Sequence, residues 1–138
     1  MAQIIYPTAR LRGLEAYGVS APVYNYTINP AGISHTGRKS AKSIDSYWVT
    51  RALYRDRQKL GLESDQAYFE YILSMVVLSY RRAEQQSQQV KEAMFVLWRD
   101  FIDSEFSGFE TENKNKKILQ QALKEGKFAL YSAACKLI

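Results

Sequence analysis

The stretch that decides the fold begins Ser64-Asp65-Gln66-Ala67-Tyr68-Phe69-Glu70-Tyr71-Ile72-Leu73-Ser74-Met75-Val76-Val77-Leu78-Ser79-Tyr80, and from Ser64 to Phe106 more than forty residues pass without a glycine or a proline. A run so free of breakers, opening on the good N-cap Ser64, predicts helix. It is too long for one ordinary globular helix, and the polar run Glu84-Gln85-Gln86-Ser87-Gln88-Gln89 divides it in two. The first half, Tyr68 to Leu78, is apolar nearly all round, which predicts the central and most buried helix. The second carries a stripe of Val90, Met94, Leu97, Trp98, Phe101 and Ile102, with Lys91, Glu92, Arg99, Asp100 and Asp103 on the other side. It is amphipathic and packs on one face.

Outward from this pair, a further helix is predicted upstream from about Ser43 to Leu60, ended by Gly61. Downstream, Gly108 stops the amphipathic helix, and Thr111 is placed to cap a short helix carrying Ile118, Leu119, Ala122 and Leu123, which Gly126 ends. Phe128, Tyr131, Ala134, Cys135 and Ile138 repeat the helical spacing. The first 37 residues differ, holding Pro7, Pro22 and Pro30 with Gly13, Gly18, Gly32 and Gly37, which would break a helix repeatedly. Within them Val23-Tyr24-Asn25-Tyr26-Thr27-Ile28 is rich in β-formers and reads as one short strand or an extended segment, with Ile4-Ile5-Tyr6 as a weak hairpin partner. The expected architecture is mainly α: a compact bundle of about five helices over 43–138, behind an irregular N-terminal arm and basic loop over 1–42, as one domain overall.

Composition agrees with a single globular core, at 138 residues, 46% hydrophobic, 13% aromatic and 24% charged. With one cysteine, Cys135, no intrachain disulfide or cysteine-based zinc site can form, which suits a reducing interior. The longest apolar stretch, Tyr71 to Tyr80, falls short of the roughly 20 residues that span a bilayer. The N-terminus has no basic lead or apolar run before Pro7, so a cytoplasmic, non-membrane location is expected.

The formal charge of +5 favours polyanionic partners. Residues 1–62 hold nine cations (Arg10, Arg12, Arg38, Lys39, Lys42, Arg51, Arg55, Arg57, Lys59) against Glu15, Asp45 and Asp56, a net of +6, whereas residues 63–138 hold ten against eleven acids, a net of −1. The string Gly32-Ile33-Ser34-His35-Thr36-Gly37-Arg38-Lys39-Ser40 misses the P-loop spacing by one residue, because Arg38 stands between the second glycine and the lysine. Without a βαβ pattern around it, it reads as a basic loop leading into a helix N-terminus, a seat for a backbone phosphate, or as an ordinary solvated loop.

Arg51, Arg55 and Lys59 recur every four residues, which makes one basic stripe on the first helix. Val49, Leu53 and Leu60 cluster roughly opposite as its core face, and Tyr47 and Trp48 flank the stripe. Cations beside aromatic rings are what a sequence-tolerant nucleic-acid surface uses, the cations for phosphates and the rings for stacking. The plainer reading is a solvated charged face with Trp48 in the core. Lys114-Asn115-Lys116-Lys117 could mark a second phosphate contact, but Glu110 and Glu112 partly cancel it, while Arg81-Arg82 suit a helix C-terminus.

Groups for catalysis are scarce. His35 is the lone histidine and has no nearby acid; Asp100, Asp103 and Glu105 read as a solvated face; Cys135 reads as a buried small hydrophobe. No enzyme activity, cofactor or metal is expected. Ten Tyr, six Phe and two Trp exceed what one small core easily encloses, so some should meet partner protein, with Tyr6, Tyr17, Tyr24 and Tyr26 as a docking element.

A small, helical, basic chain with Arg51, Arg55 and Lys59 along one helix resembles the small subunits of multi-protein CRISPR surveillance complexes. The resemblance covers about residues 43–138 and rests on size, helix content and charge placement. It implies an antiviral role in which several copies line a guide-RNA complex and hold target or displaced strands through basic helices, without cleavage. Arg51, Arg55 and Lys59, with Arg38, Lys39 and Lys42 as extensions, would contact the single-stranded DNA or RNA backbone, and Tyr47 and Trp48 would stack. The alternative is a protein–protein adaptor or phage-type accessory protein that meets no nucleic acid.

Overall fold

The computed structural model describes residues 20–21 and 44–138. Five helices fill the second span: α1 Asp45–Lys59, α2 Gln66–Arg82, α3 Gln88–Glu105, α4 Lys114–Glu125 and α5 Phe128–Leu137, with no strand among the described residues. The strand-like Val23–Ile28, its weak partner Ile4-Ile5-Tyr6 and the P-loop-like string at 32–40 lie outside the described residues, as do His35 and the arm tyrosines.

Helix ends follow local chemistry, with three shifts from the sequence reading. At the end of α1, Gly61 takes φ +68°, the Gly61 N–H donates to the Gln58 carbonyl at 3.0 Å and the Leu62 N–H to the Arg57 carbonyl at 3.0 Å. This left-handed closure is one glycine adopts without strain. The break between α2 and α3 falls inside the 84–89 polar run as expected, with the Ser87 hydroxyl accepting from the Val90 N–H at 3.3 Å. The cap of α2, however, is Asp65 rather than Ser64; its carboxylate accepts from the Tyr68 N–H at 2.8 Å.

Likewise α4 is capped by Asn113, whose side chain takes the Asn115 and Lys116 N–H groups, and Thr111 is drawn away because its hydroxyl donates to Glu70 at 2.7 Å. Finally α3 stops at Glu105, before Gly108, because Phe106 leaves the helix to enter the core at 1% exposure. There it meets Phe69, Phe101 and Phe109, with ring centroids 5.8, 5.5 and 5.9 Å away.

The core is where the apolar faces of α2 and α3 meet α4 and α5. Phe69, Ile72, Leu73 and Val76 of α2, Trp98 and Phe101 of α3, Leu119 and Leu123 of α4, and Cys135 of α5 are all fully buried. The α3 stripe is inward as predicted, although Val90 and Leu97 at its edges are half-buried. Every aromatic residue among those described is buried or half-buried except Trp48. The bundle therefore absorbs most of the aromatic surplus within itself.

A polar staple ties α2 to the loop before α4. The Glu70 carboxylate accepts from the Thr111 hydroxyl at 2.7 Å, the Glu112 N–H at 3.1 Å and Gln66 at 3.3 Å, and it lies 3.6 Å from the Lys116 ammonium. Lys116 also donates to the Glu70 carbonyl at 3.2 Å and to Ser74 at 2.8 Å. Partial burial works to raise the Glu70 pKa, but these donors and the lysine charge outweigh it and hold the carboxyl below its ordinary 4.5. A depressed folded pKa contributes stability in full above the unfolded value, and this is lost as pH falls through the folded one. Acid unfolding followed by circular dichroism should therefore show Glu70→Gln less sensitive than the parent chain to a drop below pH 4.5. Equal acid sensitivity would mean the staple contributes nothing.

A candidate nucleic-acid interface on the first helix

Helix α1 presents a different face to the core from the one predicted. Ser46, Tyr47, Thr50 and Arg57 are buried and Tyr54 half-buried, whereas Val49 and Leu60 are 44% and 47% exposed and Leu53 is half-buried. Tyrosine explains the reversal. Each ring offers more burial area than a Val or Leu side chain, provided its hydroxyl stays wet or finds a partner. Tyr54 packs on Phe101 and Phe106 and donates to the Glu105 carboxylate at 2.6 Å. Burial first, then that carboxylate, pushes the Tyr54 pKa up to about 12. Glu105 is accordingly part of a half-buried hydrogen bond and departs from the solvated face assigned to it; Asp100 and Asp103 do lie exposed, Asp103 with Arg99 at 3.8 Å.

Tyr47 is likewise a correction. At 4% exposure it cannot stack on a ligand; it stands edge-on to Trp98, centroids 5.0 Å apart at 87°. Its other neighbour is Trp48, also 5.0 Å away and at 76°. Trp48 itself is 54% exposed. An exposed indole is thus braced by a buried ladder, Trp48 on Tyr47 on Trp98, and Trp98 is fixed in turn by its Nε1–H donating to the Ser79 hydroxyl at 2.9 Å.

The three cations of the stripe have separate fates. Arg51 is half-buried, its guanidinium 4.6 Å from the Phe101 ring centre. Arg55 is exposed and forms no ion pair among the described residues. Lys59 is exposed beside Asp56 at 3.8 Å, a pair that water screens heavily. At ~100° per residue, Arg55, Trp48 and Lys59 fall within an arc of about 40° on the outward side of α1. Arg38, Lys39 and Lys42 lie outside the described residues.

Arg57, counted in the sequence only as part of the charge excess, is 3% exposed. Its guanidinium lies 3.7 Å from the Tyr68 ring centre and donates to the Glu63 carbonyl at 2.9 Å, pinning the α1–α2 loop, and burial lowers its pKa. Only its place at i+3 and i+7 from Tyr54 and Thr50 hinted at this. In the 114–117 cluster, Lys116 is committed to Glu70 and Ser74, which removes it from any phosphate contact, while Lys114 and Lys117 stay exposed. The Cys135 thiol is fully buried, and burial pushes its pKa up to about 12.

Beside the stripe, Tyr54 and Gln58 of α1, the 61–64 loop and Glu105 of α3 enclose an open groove of about 410 Å³. No helix among the described residues is long and apolar enough to cross a membrane. Comparison of the chain with family models, curated proteins and solved structures finds no match.

Proposed function

We propose that the chain is a non-catalytic nucleic-acid-binding subunit of a larger ribonucleoprotein assembly, of the CRISPR surveillance kind it resembles, holding strand backbone on the outward face of α1. The observation that carries this reading is Trp48, 54% exposed yet braced from beneath. Its arc holds Arg55, which has no ion pair among the described residues, and the exposed Lys59, so phosphates and a base face can be met by one rigid surface.

A second reading draws on Val49 and Leu60, exposed aliphatic residues along the other edge of α1. They suit a protein partner, which makes an adaptor the alternative function. The test is equilibrium binding of the full chain to single-stranded and duplex oligonucleotides across a salt series. Binding with a steep negative dependence of log K on log salt is expected. No binding at low salt to either form would favour the adaptor.

A further inference from the structure

We infer that the groove beside the stripe receives an unpaired nucleobase bearing an amino group, so that strands of cytosine or adenine are preferred over strands of thymine or uracil. This rests on the proposed function. It adds base selection to a surface whose cations alone would read none.

Placement comes first. Tyr54 and Gln58 are each three residues beyond Arg51 and Arg55, which makes them neighbours of the stripe on the helix surface. A strand with its phosphates on those cations therefore carries its bases past the groove, whose volume of about 410 Å³ is of ligand size. A phosphate would not enter, since two acidic residues, Glu63 and Glu105, are among those lining it.

The direction of the hydrogen bonds then selects the base. The Gln58 amide donates to the Tyr54 hydroxyl at 3.2 Å, and that hydroxyl spends its only proton on Glu105 at 2.6 Å. The Gln58 carbonyl and the second Glu105 oxygen are left as acceptors, and the acidic Glu63 lines the groove beside them, so acceptors outweigh the remaining donors, the second Gln58 N–H and the Ser64 hydroxyl. Such a lining takes N–H donors. Cytosine, adenine and guanine each present an exocyclic amine, a group that Glu and Gln side chains accept from readily, whereas thymine and uracil have none and offer the acceptors a single ring N–H flanked by carbonyl oxygens.

The experiment measures binding of the full chain, at one salt concentration, to equal-length oligo-dC, oligo-dA, oligo-dT and an abasic strand. Oligo-dC and oligo-dA are expected to bind at least several-fold more tightly than oligo-dT. Glu105→Gln should shrink that ratio severalfold; Gln58→Ala, an uncharged change at an exposed position, should do the same without changing abasic binding and while leaving the Tyr54–Glu105 bond in place. Equal affinities for the three bases, or a preference unchanged in both variants, would overturn the base pocket while abasic binding still upheld the function. Failure of every strand, the abasic one included, would overturn both.

Discussion

Truncation of Trp98 to alanine is expected to cost about 3–5 kcal/mol of folding free energy, the range for removing a large aromatic from a packed interior. The side chain is fully buried, touches Tyr47 of α1 and Phe101 of α3, and donates to Ser79 of α2. Its loss opens a cavity where three helices converge and leaves the Ser79 hydroxyl, itself fully buried, without that partner. As small domains are stable by about 5–15 kcal/mol, the variant should be close to unfolding or unfolded. Urea denaturation measures this directly. A loss below about 1 kcal/mol, the size of a typical surface-to-moderate effect, would show that the bundle does not converge on Trp98.

The same truncation at Trp48 should do the opposite. With 54% of its surface exposed, and its one aromatic neighbour among the described residues, Tyr47, held independently by Trp98, Trp48 contributes little to the fold. Its alanine variant should keep the parent's denaturation midpoint to within about 0.5–1 kcal/mol. In binding, loss of one base–aromatic stack is worth about 1–3 kcal/mol, or roughly five- to 150-fold in affinity for a single strand. Intact stability with weakened strand binding is the expected pair of results. Intact stability with unchanged binding would place the nucleic acid elsewhere.

The two tryptophans also show what the sequence made legible. The number of helices and the places where they break were readable from Gly61, Gly126 and the 84–89 polar run, because backbone conformation at those positions is a local matter. The α3 stripe was readable because its apolar residues share one face. In α1 the rule failed. Apolar residues lie on both sides of that helix, and the choice between Val49–Leu60 and Tyr47–Tyr54 was made by partners distant in sequence, Trp98, Phe101 and Glu105. That one rotation turned Tyr47 inward and Arg57 into a buried stack on Tyr68, while Trp48 stayed outward beside the stripe. Similarly, the α4 cap moved from Thr111 to Asn113 because Glu70, forty-one residues upstream of Thr111, claimed the threonine hydroxyl.

The stripe itself survives in reduced form. Arg51 lies against Phe101, so its removal mixes lost packing with lost charge, whereas Arg55 and Lys59 can be neutralised with little effect on the fold. The most direct test of the central claim is therefore the salt dependence of single-strand binding for the parent chain and for the Arg55→Ala, Lys59→Ala double variant. If both cations hold phosphates, the slope of log K against log salt should flatten by about 1.4, at ~0.7 per single-strand contact. A slope that is the same in both proteins would contradict it.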